Sequence, residues 1–236
     1  MRKHVYVTAE KIHKRKKIKK IIKFSCLSLL LLLIILYLIL QVIYEEGRFT
    51  VTLDYNKDLR SGLAIYESAS DPTGKTQLQA GKIEFLDNIA MSWLPENLHE
   101  QTAEGSHNGD NYIAYTFYVE NQGSEIQNYW YEIVMKDVIK NVDEAVRVMT
   151  YLNGEKKVYA KVSSITGEAE EGTIPFRSDN PIVLEKRENF KPGDRDKFTI
   201  VIWLEGPDPD CVDSIIGGEL KLEMNITDEH ILGKGE

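Results

Sequence analysis

The 236-residue chain carries 29 basic and 37 acidic residues, a net charge of −8, with two cysteines. That total hides an asymmetry: residues 1–23 hold ten Lys or Arg against Glu10 alone, a net +9, which leaves −17 for residues 24–236. An acidic body of this kind argues against nucleic acid as a partner, and Cys26 and Cys211 are too few to frame a disulfide-stapled fold.

The basic stretch ends in KRKKIKKIIK, and the uncharged run from Phe24 to Tyr44 follows at once. As a helix those 21 residues extend ~31 Å at ~1.5 Å per residue, the thickness of a bilayer's hydrocarbon core. Lipid offers the backbone no hydrogen-bond partner, so a lone apolar segment of this length is expected to be a membrane-spanning helix, with residues 24–44 in the bilayer. Lys and Arg at a helix end stay on the cytoplasmic side, which predicts a cytoplasmic tail at 1–23 and an extracellular domain at 45–236. Lys14, Arg15, Lys16, Lys17, Lys19, Lys20 and Lys23 are placed to meet anionic inner-leaflet headgroups, at roughly 1 kcal/mol each. A secretory leader also pairs a basic stretch with an apolar one, but it ends in small residues. Here Gln41, Val42, Ile43, Tyr44, Glu45 and Glu46 stand at that position, which favours a retained anchor over a cleaved leader. Tyr44 suits the outer interface.

Beyond the helix the apolar period changes to two. Phe49, Val51, Leu53 and Tyr55 alternate with polar residues and predict a half-buried strand. Short apolar patches follow at 63–66 and 82–86 around an SDPTG turn, and residues 95–111, with His99, Gly105, His107, Gly109 and Asp110, read as a long surface loop. The second half is clearer. Ile113, Tyr115, Phe117 and Val119 share one face, as do Tyr129, Tyr131 and Ile133. Residues 141–146 are expected to make a helical turn capped by Asn141. AVRVMTYL and EKKVYAKV flank Asn153-Gly154, the pair that favours a type I′ hairpin turn. A turn at Lys191–Asp194 leads to KFTIVIWLE with Phe198, Ile200, Ile202 and Leu204 inward; CVDSII suggests a short helix, and Leu220, Leu222, Met224 and Ile226 mark a last strand. Seven to nine short alternating strands predict an antiparallel β-sandwich, jelly-roll or immunoglobulin-like, behind a single transmembrane helix.

Trp203-Leu-Glu-Gly206, Asp208-Pro-Asp-Cys211, Ile215-Ile-Gly-Gly218 and the alternating strand after them resemble the C-terminal segment of Gram-positive surface proteins of the camelysin/TasA type, with looser similarity in YTFYVENQGSE at 115–125. The resemblance covers about 25 residues at its specific part, 202–226. It implies a jelly-roll domain exported across a Gram-positive membrane, among relatives that build biofilm fibres by lending a strand to a neighbour. Those relatives are released by a signal peptidase, whereas this chain lacks the small-residue site. Surface location and fold are therefore carried over, and the filament is not.

Candidate chemistry is sparse. Asp208, Asp210 and Asp213 cluster around Pro209 and offer oxygen ligands to Ca²⁺, without EF-hand spacing. The alternative has Asp213 capping the following turn and the other two as solvated loop acids. His99, His107 and His230 lack zinc-ligand companions and read as loop or tail residues. Ala69 to Thr76 matches a loose phosphate-loop pattern, but QLQAGKIEF after it does not read as the helix such a loop requires. An anchored β-rich domain also describes type I signal peptidases, whose Ser nucleophile and Lys base would fall to Ser92 and Lys75. Met91-Ser92 stands in reversed order and GDRD at 193–196 departs from their later motif, so the expectation is a non-catalytic domain for binding or for envelope or matrix structure, with a surface or matrix protein as partner. The alternatives are a secreted matrix-fibre subunit and an extracytoplasmic hydrolase.

Overall fold

A computed structural model describes residues 9–43, 49–54, 62–81, 83, 86–100 and 104–229. The chain divides into two compact units, Met1–Glu45 and Glu46–Glu236. In the first, a single helix α1 (Ala9–Ile43) joins the basic stretch to the apolar one. Within Ile12–Leu40 an apolar 18-residue window has mean hydropathy 2.6, and none of it is buried. Leu29, Leu33 and Leu40 are each more than half exposed and the other large apolar side chains from Ile12 to Leu40 at least 46%, so no face of it is a core-packing stripe. Tyr44 lies outside the described residues.

In the second unit the described strands are β1 (Phe49–Asp54), β2 (Leu63–Tyr66), β3 (Gln77–Gln79), β4 (Asn88–Ile89), β5 (Gly105–Ser106), β6 (Ile113–Asn121), β7 (Gln127–Ile139), β8 (Val146–Leu152), β9 (Glu155–Ala160), β10 (Ile174–Pro175), β11 (Val183–Phe190), β12 (Arg195–Glu205) and β13 (Glu219–Glu229). They form two sheets. One runs β11-β7-β13-β1-β3; the other runs β10-β9-β8-β12-β6-β2, with β4 beside β12 and β5 beside β6. Phe49, Val51 and Leu53 from the first sheet meet Tyr115, Phe117, Phe198, Ile200 and Ile202 from the second in one apolar core. Phe117 and Phe198 stack with centroids 5.2 Å apart, and Tyr131 meets Phe198 edge-on. The fold is mainly β and two-layered, as the alternation predicts.

The sheets are mixed rather than purely antiparallel. β1 pairs in parallel with β13 over Phe49↔Leu222 to Asp54↔Thr227, and β9–β10 and β12–β4 are parallel too. Alternation sets which face is buried but carries no strand direction, and the N- and C-terminal strands of the domain both enter from the same end. Asn153 (φ 52°) and Gly154 (φ 90°) take the left-handed conformations of the expected type I′ turn.

Two local expectations fail. Asn141 sits at φ 55° and makes no side-chain cap; Val142–Glu144 is a single 3-10 turn. The expected surface loop at 95–111 is anchored at its start: Leu98, with Leu94 just before the segment, is buried on the outer face of the second sheet against Met149, Tyr151, Val201 and Trp203. That face is apolar because β8 and β12 are buried on both sides, so something must cover it. β11, rich in Glu, Lys and Arg, was not legible as a strand. It is an edge strand, and charge there discourages pairing with another chain.

Candidate functional site

β12 ends at Glu205 beside the start of β8, and the chain then loops through 206–218 before entering β13. The 161–173 loop after β9 reaches the same end. Here Arg147 is buried, with only 4% of its side chain exposed. It follows Val146 on β8 and points, like Met149 and Tyr151, to the outer face of the sheet. A guanidinium in that position requires a buried anion. Asp208, 1% exposed, supplies it through a close Nη2–Oδ2 contact, and Glu170 Oε2 lies 3.8 Å from the same nitrogen.

The loops are tied to this pair by further hydrogen bonds. The Asp210 amide donates to Asp208 Oδ1 at 2.8 Å. Asp210 in turn accepts from the Ser164 amide at 2.9 Å and from the Ser164 hydroxyl. Arg147, Asp208, Asp210 and Ser164 therefore clamp the 206–218 and 161–173 loops onto β8. Lys161 adds a link to the 3-10 turn after β7, donating to Asp143 at 2.6 Å and Glu144 at 2.8 Å.

Acids outnumber bases at the centre of the clamp. One carboxylate oxygen each from Glu170, Asp208 and Asp210 lies within 4.8 Å of the others. Hydrogen bonds from the Ser164 hydroxyl and amide hold the Asp210 carboxyl below the usual carboxylate range. Burial and the Asp208 charge push Glu170 above it. The hydrogen bonds to Asp143 and Glu144 raise Lys161 despite its partial burial, which acts in the opposite sense.

The structure thus brings together two of the three aspartates named from sequence and corrects their reading. Asp208 and Asp210 are buried and hydrogen-bonded rather than solvated, because they answer Arg147 and Ser164. Asp213 is exposed at the first position of the Asp213–Ile215 turn and caps nothing; Val212 holds the capping position. The third carboxylate of the cluster is Glu170. A hard cation such as Ca²⁺ takes 6–8 oxygens at ~2.3–2.6 Å, and here Arg147 already occupies Asp208 Oδ2, so a cation would have to share or displace the guanidinium. A cleft of about 420 Å³ lies nearby, lined by Lys136, Asp137, Asp143, Lys161, Phe176 and Asp179 among others.

Other named residues disperse. Ser92 is exposed in the Met91–Trp93 turn past the end of β4, which runs beside Glu205. Lys75 bonds through its amide to Ile65, level with Val119 and Asp196 at the other end of β12, and pairs with Glu67 at 3.3 Å. Nine residues of strand separate those levels, ~30 Å at ~3.3 Å each. The 69–76 turn uses its Ala69 amide on Glu104 and continues into β3, not a helix. His99 is only partly exposed and stacks on Tyr151 at 4.3 Å, and His107 folds back towards the Gly105 carbonyl, so neither is a free loop residue. His230 lies outside the described residues. Cys211 is half-buried and accepts from Asn88 Nδ2 at 3.3 Å; Cys26 and Cys211 are both free. Arg147, Ser164 and Glu170 escaped sequence reasoning. The available signal was an Arg inside the apolar run VRVMTY, which demands an acid that sequence spacing does not identify.

No family model matches the chain, and no curated protein matches it.

Proposed function

We propose that the chain is a single-pass membrane protein whose basic residues 1–23 stay in the cytoplasm and whose domain, 45–236, stands outside the cell as a non-catalytic module for binding or envelope structure, on a surface of the camelysin/TasA kind. The observation that carries this reading is the helix at Ile12–Leu40, which contains an apolar window of membrane length that is nowhere buried. The +9 tail supports the orientation. A non-catalytic role is supported by the separation of Ser92 from Lys75 and by a clamp in which Arg147, Asp208, Asp210 and Ser164 hold one another. Protease added to intact cells is expected to digest the domain and leave the basic tail protected. Protection of the domain with loss of the tail would overturn the orientation.

A second reading is a secreted matrix subunit, favoured by the helix's place near the N-terminus, where a leader also passes the length and composition test. Mature protein in the culture medium with a new N-terminus near Glu45 would establish it over the first.

A further inference from the structure

One end of the sandwich differs from the other in what it exposes. Among the described residues outside the helix, Met91, Trp93, Val162, Ile165, Val212 and Ile216 are exposed large apolar side chains in the loops of the end where β12 stops, and Ile126 alone marks a loop at the other. Trp93 is 74% exposed, Ile165 70% and Ile216 66%. They occupy three separate segments that bond to one another. Ser164 is fastened to Asp210, and Asn88 to Cys211. The Met91 amide donates to Glu205, and Lys140 Nζ to the Ile216 carbonyl at 2.7 Å. The Arg147 clamp holds the 161–173 and 206–218 loops together. Solvation gives no reason to gather such side chains at one end of an acidic domain.

The same end receives the chain from the helix. β1 runs parallel to β13, with Phe49 opposite Leu222, so Phe49 lies at the end where β13 begins and the 206–218 loop stands. Ile43 and Phe49 are six peptide steps apart in sequence, at most ~22 Å at ~3.6 Å per step. A helix anchored in lipid therefore keeps this end within reach of the lipid surface.

We propose that the loops bearing Trp93, Ile165, Val212 and Ile216 dock on the outer surface of the bilayer and seat their side chains among the headgroups and first acyl carbons. The proposal rests on the membrane-anchor reading. A set of indole and branched aliphatic side chains is the composition suited to that interface. The contact is apolar rather than electrostatic: Glu168 and Asp213 are exposed in the same loops, so a zwitterionic surface suits it and an anionic one opposes it. The other end, with Ile126 alone, is left free for partners.

The test uses the full chain reconstituted into phosphatidylcholine vesicles with and without tail-brominated lipid, which quenches indoles near the acyl chains. With three tryptophans in the chain, of which Trp203 is buried in the sheet, the wild type is expected to lose about a third more of its emission than Trp93→Phe, the share of one indole at the interface. The double variant Ile165→Ser/Ile216→Ser is expected to weaken the quenching at unchanged thermal midpoint, and anionic lipid to weaken it further. Equal quenching of wild type and Trp93→Phe would overturn the docking. So would a concentration-dependent dimer abolished by the double variant, which would assign the patch to a second copy. Alkaline extraction separates the two readings: a chain that stays with the vesicles but shows no Trp93 quenching keeps the anchor and loses the docking, whereas a chain that washes off loses the anchor itself.

Discussion

A buried aspartate lies near each end of strand β12, and the two are solved differently. At its start, Asp196 is 2% exposed and takes Tyr129 Oη at 2.6 Å, Arg187 Nε at 3.0 Å and Asn153 Nδ2 at 2.7 Å. One carboxylate there faces one guanidinium and two neutral donors. Just past the other end, Asp208 takes Arg147, but Glu170 lies 3.8 Å from the same cation and the Asp210 carboxylate crowds both acids. The first site joins strands already in register and needs only local neutrality. The second ties irregular loops to a sheet, and it does so with surplus negative charge. Buried ions at the two ends therefore serve different tasks, and the surplus carboxylates gather at the loop end.

Four substitutions sharpen that contrast. Arg147→Ala leaves Asp208 buried without its cation and is expected to cost ~3–5 kcal/mol, measured by urea unfolding followed by circular dichroism. Arg187→Ala at the opposite end removes one donor of three and is expected to cost ~1–2 kcal/mol; equal losses would erase the distinction. Ser164→Ala deletes the hydroxyl bond to Asp210 for ~1 kcal/mol at neutral pH. Asp210's carboxyl is held below its ordinary value of 3.8, so the stability it contributes is present above pH 3.8 and is lost as pH falls through the lower folded value. The variant should therefore converge with wild type in acid.

Glu170→Gln has the smallest expected effect and the opposite sign. The Glu170 carboxyl is raised above its ordinary value of 4.5, so its favourable contribution is complete below pH 4.5 and disappears as pH rises through the folded value. At neutral pH the charge is a liability, and the glutamine is expected to raise stability by a few tenths of a kcal/mol up to ~1. Melting curves across pH would show the two proteins diverging only above pH 4.5. Millimolar calcium decides whether the cluster takes a cation: stabilisation of wild type that Glu170→Gln lacks would make it a metal site, and an identical response in both would leave it a clamp.

Much of this was written in one dimension. A helix of membrane length is a property of consecutive residues, and so are the tail's charge and the Asn153-Gly154 turn, because neither lipid insertion nor a two-residue loop depends on distant partners. Alternation placed Phe117, Tyr131, Phe198 and Ile200 in the core for the same reason: a strand's two faces are set by its own pleat. Strand direction was not encoded that way, and the parallel union of β1 with β13 joins residues more than 170 positions apart. Nor was the cover over Trp203, which only the second buried face of the sheet made necessary. Asp208 and Asp210 read as solvated because the need for them arises on β8, from an arginine whose partner is 61 residues away. Local chemistry determined which segments become helix, strand and turn; the tertiary structure alone decided which charges meet out of water, since that depends on which chain ends share a side of the sandwich.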